Sequence, residues 1–265
     1  MENLYLLDRN ALSDIKKSID GARVDPERLN ELKKIDIEGN LISGYLAVRE
    51  GQSKKIESSE EIECQIEKDL PYLDLFYTKA KTDGKILLDN KKVTAKCLGH
   101  VEGRELNWDI YIQFIKYVQK ILYQPIKPSK RLEYAENIIS KARALSVPSG
   151  HLIIICAISS LYGNSWAKKI LKSKLNFSKQ QAEEAAYNAL SDLICLTRTL
   201  EVKLKFYNSY EVQFFTFDKP LLNFFLQLKI NKISSISNNG INVNITYPRE
   251  MFPELSDNEY DQLMG

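Results

Sequence analysis

The apolar positions of this chain change period from one stretch to the next. Leu4, Tyr5, Leu6 and Leu7 form an unbroken apolar run, as expected of a short strand buried on both faces. Asp8 ends the run, and Ala11, Leu12, Ile15 and Ile19 then recur at helical spacing. A second unit follows in "DPERLNELKKIDIEGNLISGYLAVREG", where Asp25 and Pro26 take the N-cap and N1 places of a helix. Its later part reads as a short strand running into a helix that Gly51 ends. Strand and helix in alternation predict an α/β fold, with a central, mostly parallel sheet flanked by helices.

Residues 52–148 break that rhythm. "ESSEEIECQIEKDLPYLDLFYTKA" opens with a charge-rich helical pattern, "KILLDNKKVTAKCLGHVEG" fits strand and helix equally, and "NWDIYIQFIKYVQKILY" is strongly helical. The segment reads as a mainly helical insertion or subdomain within a single domain over 1–265. Beyond it, "SKRLEYAENIISKARAL" and "SGHLIIICAISSLYG" predict two more helices, and a long amphipathic helix starts near Ser178. "EVQFFTF" predicts a strand, "DKPLLNFFLQL" a helix, and "NKISSI" and "INVNITY" late strands.

Composition narrows the function classes. The 265 residues are 44% hydrophobic, enough for one large core or two small ones. A net charge of +2 gives no general pull toward nucleic acid or anionic membrane, so any such attraction must be local. Cys64, Cys97, Cys156 and Cys195 lie far apart and show no paired spacing, as in a protein with reduced thiols. The longest apolar run, "LIIICAISSLY", is too short to span a bilayer, and the N-terminus has no cleavage-like segment. The expectation is a cytoplasmic protein without a membrane partner.

One arrangement occurs twice: "LYLLD" ends on Asp8 and "VQFFTFD" on Asp218, each leading into a helix. In a parallel sheet both carboxylates would sit at the carboxyl edge, where α/β folds build their sites. Two further acids join them, Glu50 at the end of the "LISGYLAVREG" unit and Asp192 on the long helix. Asp192 lies beside an apolar stripe, one turn after Asn188. A strand, Asp-x-Asn and helix, then a helix ending in Glu-Gly, an Asp on a later helix, and "FFTFD" together resemble the PIN-like nuclease superfamily.

That resemblance covers about residues 1–51 and 178–231 and implies a metal-dependent nuclease acting on RNA more often than DNA. It assigns catalysis and metal binding to Asp8, Glu50, Asp192 and Asp218, with Asn10, Asn188 and Thr216 supporting them. Clustered carboxylates suit Mg²⁺ or Mn²⁺, which activates water and offsets charge on a phosphodiester. Lys168, Lys169 and Lys172 are candidate nucleic-acid contacts. A toxin or defence setting, with a regulatory protein partner, follows from the harm that uncontrolled cleavage would do. The chain is longer than a compact PIN toxin, which the helical middle explains.

Each residue also has a plainer reading. Asp8 and Asp218 could serve only as helix caps, and Glu50 and Asp192 as solvated acids. The lysine runs could be solvated helix faces, the aromatics of "NWDIYIQFIKYV" core, and His151 a packing or capping residue. The alternative function is then a catalytically inactive PIN-like scaffold or interaction module. A phosphatase of the haloacid dehalogenase type also begins with a strand ending on Asp, but it carries a second Asp where this chain has Asn10.

Overall fold

The computed structural model describes residues 2–50, 57–98, 107–206, 209–237 and 240–264. Their contacts gather into two compact units. The first holds described residues of 2–98, 194–218 and 233–242, the second those of 107–193, 219–232 and 243–264.

The first unit begins with β1 (Glu2–Leu7), α1 (Arg9–Ile19), α2 (Pro26–Lys34), β2 (Leu41–Ser43) and α3 (Tyr45–Glu50). It continues through α4 (Ser59–Asp69), α5 (Pro71–Phe76), β3 (Lys81–Thr82), α6 (Gly84–Asp89) and α7 (Lys91–Leu98). The second unit takes up α8 (Trp108–Ile121), α9 (Arg131–Ala144), α10 (Leu152–Leu161), α11 (Ser165–Leu171) and the first half of α12 (Lys179–Phe206). From residue 194 the chain is back in the first unit and adds β4 (Tyr210–Phe215). After α13 (Lys219–Gln227), β5 (Lys229–Ser237) and β6 (Gly240–Thr246) pair as a two-stranded sheet, followed by α14 (Asp257–Met264).

The main sheet has the order β3-β2-β1-β4, and every pairing in it is parallel. β1 is central: Leu4 lies opposite Leu41 on one side and Val212 on the other. Leu4, Leu6 and Leu7 are buried, as the continuous apolar run requires of an inner parallel strand. Beside the sheet, Ala11, Leu12 and Ile15 of α1 pack with Leu32, Ile42, Val48, Ile62, Ile66 and Leu70 in one core. Burying side chains such as Leu12 and Ile15 contributes about 1.5–3 kcal/mol each.

The predicted insertion is mainly helical over its described residues, but it does not stand apart as one piece. Residues 59–98 belong with the sheet and supply its edge strand β3, while the second unit starts at 107. β3 spans only two residues and has no apolar run, so hydrophobic period could not distinguish it from loop. The single predicted domain is likewise two units by contact, with the long helix α12 running through both. Gly51, the expected stop of α3, lies outside the described residues.

Several local expectations hold. Asp25 Oδ1 accepts the Glu27 N–H at 2.8 Å, capping α2 with Pro26 at its first position. Ser178 and Gln181 exchange side-chain and backbone hydrogen bonds of 3.2 and 2.9 Å in a capping box at the start of α12. In the second unit α10 is buried along its whole length, matching its lack of a polar face. Its cap is His151, whose Nδ1 accepts the Ile153 N–H at 3.2 Å; burial lowers the imidazole pKa to about 4. Trp108, Tyr111, Phe114, Ile115 and Val118 of α8 are core. Among the described residues, no helix is long and apolar enough to cross a membrane.

Candidate active site at the sheet's carboxyl edge

β1 meets β2 on one side and β4 on the other, so the chain's progress across the sheet changes direction at the β1/β4 pair. Open parallel sheets leave a crevice at the carboxyl ends of such a pair, because the connections depart to opposite sides. Asp8 stands at that point. Its N–H donates to the Phe215 carbonyl at 3.0 Å, which extends the ladder by one residue and sets Asp8 against Thr216.

The Asp8 carboxylate is only 3% exposed and accepts two short hydrogen bonds. Oδ1 takes the Ala11 N–H at 2.7 Å, and Oδ2 takes the Thr216 hydroxyl at 2.5 Å. Thr216 Oγ1 in turn accepts the Asp218 N–H at 2.9 Å, so one hydroxyl ties the β4–Asp218 turn to Asp8. Glu50 arrives from α3, and its Oε2 accepts the Arg9 N–H at 2.9 Å. Two carboxylates thus hold backbone amides two residues apart in the first turn of α1, where the helix dipole favours negative charge.

Burial raises the Asp8 pKa above its ordinary value, although hydrogen bonds from Thr216, Ala11 and Asn10 and the charge of Arg28 oppose the shift. Arg28 is close enough for its charge to act on this carboxylate. It reaches over from α2, with Nη2 2.9 Å from Asp14 Oδ2 and its guanidinium carbon 4.3 Å from the centre of the Phe217 ring. Capping therefore describes Asp8 geometrically, yet a capping aspartate is ordinarily solvated, whereas this one is buried.

The carboxyl edge holds one more acid. Asp83 follows β3 as Asp8 follows β1, and its Oδ1 accepts the Gly44 N–H at 3.0 Å. Burial pushes its pKa up to about 6, with the nearby Asp74 adding to the rise and Ser43 and the Gly44 amide opposing it. Gly44 has no room for a side chain, since a Cβ would fall 2.5 Å from Leu70 Cδ2. Sequence reasoning missed Asp83 and Arg28. The strand-then-Asp pattern in "KTDG" was the available signal for Asp83; nothing in the sequence marks Arg28.

Of the predicted residues, Asp8, Asn10, Glu50, Thr216 and Asp218 all belong to the first unit, and the contacts above join them through α1 and β4. Asp192 falls in the second unit, half-buried on α12, where its charge helps burial hold the Cys156 thiol protonated. Asn188 lies there too and lines a recess of about 270 Å³ with Lys172 and Gln181. Lys168, Lys169 and Lys172 are on or just after α11 of the same unit; the Lys169 Nζ sits 5.0 Å from the centre of the Trp166 ring.

Among the described residues, no group of three or more His, Cys, Asp or Glu side chains forms a metal-holding cluster. The donors at Asp8 and Glu50 are nonetheless of the type that suits a hard cation. Mg²⁺ is commonly held by one or two carboxylates with water and substrate phosphate completing the shell, without an all-protein cage. Comparison of the chain with protein-family models, curated proteins and solved structures gives no match.

Proposed function

We propose that this chain is a metal-dependent nuclease that hydrolyses phosphodiester bonds, with RNA preferred to DNA. The observation that carries the reading is the buried carboxylate of Asp8 at the β1/β4 switch point, with the Glu50 carboxylate fixed to the same helical turn. A buried anion whose pKa is raised by its surroundings is a common property of active sites and an unfavourable one for a structural cap. The resemblance to PIN-like nucleases supplies the reaction class and the preference for RNA.

On this reading Asp8 and Glu50, with Asp218, would hold Mg²⁺ or Mn²⁺, which when bound supplies an activated water and offsets charge on the phosphate. Thr216 orients the Asp8 carboxylate by donating to Oδ2 and keeps the Asp218 turn beside it. Arg28 is the nearby cation for a phosphate oxygen. Asp192 is the least supported member of the set, because it lies in the other unit. A toxin or defence role with a regulatory protein partner remains part of the proposal, resting on the reaction class alone.

The test combines cleavage with stability. Wild-type protein and Asp8→Asn are incubated with single- and double-stranded RNA and DNA in Mg²⁺, Mn²⁺ or EDTA, after both are shown to be folded. The expected outcome is metal-dependent cleavage of RNA by the wild type and none by the variant. Removing a buried charge should also raise the variant's Tm by about 2–4 °C, corresponding to about 1 kcal/mol. Mn²⁺ should raise the Tm of the wild type only. Cleavage that survives in Asp8→Asn would overturn the proposal; absence of cleavage and of any Mn²⁺ effect on Tm would favour the inactive scaffold.

A further inference from the structure

The second unit contains a cavity of about 420 Å³, within the range of small-molecule sites. Its wall brings together basic residues that are far apart in sequence, Arg131 at the start of α9 and Lys168 on α11. Ser160, Ser173 and Glu254 add further hydrogen-bonding side chains to the wall.

These groups are prepared for an anion. The Arg131 side chain is 16% exposed and is held by Glu254, with Nη2 to Oε2 at 2.5 Å. Its Nε is buried and has no acceptor among the described residues, an unfavourable state when nothing else binds there. Lys168 has no ion-pair partner among the described residues, and Ser160, although buried, makes no side-chain hydrogen bond to any of them. No side chain caps the N-terminus of α9, where a cation opposes the helix dipole unless an anion sits nearby.

We propose that this cavity binds a small phosphomonoester bearing a ring or apolar group, of nucleoside monophosphate size. Two cations and one carboxylate leave a single positive charge, which suits one phosphate and disfavours a polyphosphate. The guanidinium offers a planar fork to phosphate oxygens, and the lysine a point charge. Apart from Gln124, the rest of the wall, Leu122, Tyr123, Pro125, Ile126 and Leu161, is a largely apolar surface for the organic part. The site lies in the second unit and does not depend on the nuclease reading.

The experiment is calorimetric titration of the full chain with AMP, UMP, adenosine and inorganic phosphate, repeated for Lys168→Ala and Ser160→Ala. Neither substitution touches the Arg131–Glu254 pair, and each variant is shown to be folded by its thermal melt before titration. The expected result is that AMP or UMP binds, that adenosine and phosphate alone bind at least about tenfold more weakly, and that Lys168→Ala weakens nucleotide binding by about tenfold. Ser160→Ala should weaken it by about three- to tenfold. Equal binding of adenosine or of inorganic phosphate, no binding of either nucleotide, or unchanged affinity in Lys168→Ala would each overturn the proposal.

Discussion

At the residue scale, Asp83 gives the clearest pH signature. Its carboxyl titrates near 6 in the folded chain and near 3.8 when free, so the folded state favours the protonated form. The linkage sign follows: no penalty exists below the unfolded value, stability is lost as pH rises from about 4 to 6, and the loss is constant above that. Asp83→Asn removes this loss while keeping an acceptor for the Gly44 amide. Thermal melts at pH 4 and pH 7 should therefore show the variant gaining on the wild type by up to about 3 kcal/mol at the higher pH. A difference independent of pH would mean that burial does not hold the carboxyl protonated. Asp8 and Asp218 were legible in the sequence because an apolar run stops on each. Asp83 was marked only by the short "KTDG" pattern, because two polar residues of edge strand give no such run.

The helices show how acids outside the site serve the fold. Arg9 and Lys16, seven residues apart, lie on one face of α1, and both reach Asp69 at the end of α4, at 2.8 and 2.9 Å. Burial alone would raise the Asp69 pKa, but the two cations more than offset it, and the carboxyl titrates below its ordinary value. Asp69→Ala would strand Arg9, which is 13% exposed, without its partner. The expected cost is about 3 kcal/mol in urea denaturation, with α1 and so the Asp8 amide contacts loosened. Helices with caps or strong periodicity, α1, α2, α8 and α12, could be read from the sequence. The region of β3 and α6 could not, because what fixes it is tertiary: the Asp83 and Lys81 amides donate to the Ile42 and Asn40 carbonyls at 3.1 and 2.9 Å.

Over the whole molecule, the charge of +2 makes association with nucleic acid a matter of where cations sit. If α11 contributes phosphate contacts, Lys169→Ala combined with Lys172→Ala should lower the slope of log K against log salt for single-stranded RNA by about 1.4, leaving Lys168 and its cavity intact. An unchanged slope would remove α11 from the interface and return these lysines to the role of solvated helix face. The division into two units was not legible, because period and composition report local structure, whereas the chain passes from one unit to the other repeatedly between residues 107 and 243.

The pairing of β1 with β4 also has a consequence for synthesis. Asp8 and Thr216 are 208 residues apart, so the strand carrying the first leaves the ribosome long before the strand carrying the second. At roughly 5–20 residues per second, one side of β1 waits about 10–40 s for its neighbour. Through that interval Asp8 lacks the Thr216 hydroxyl and the Asp218 turn, and a prematurely ended chain never acquires them. If the chain cuts RNA as proposed, the nascent chain would be harmless to the message and ribosome that are making it.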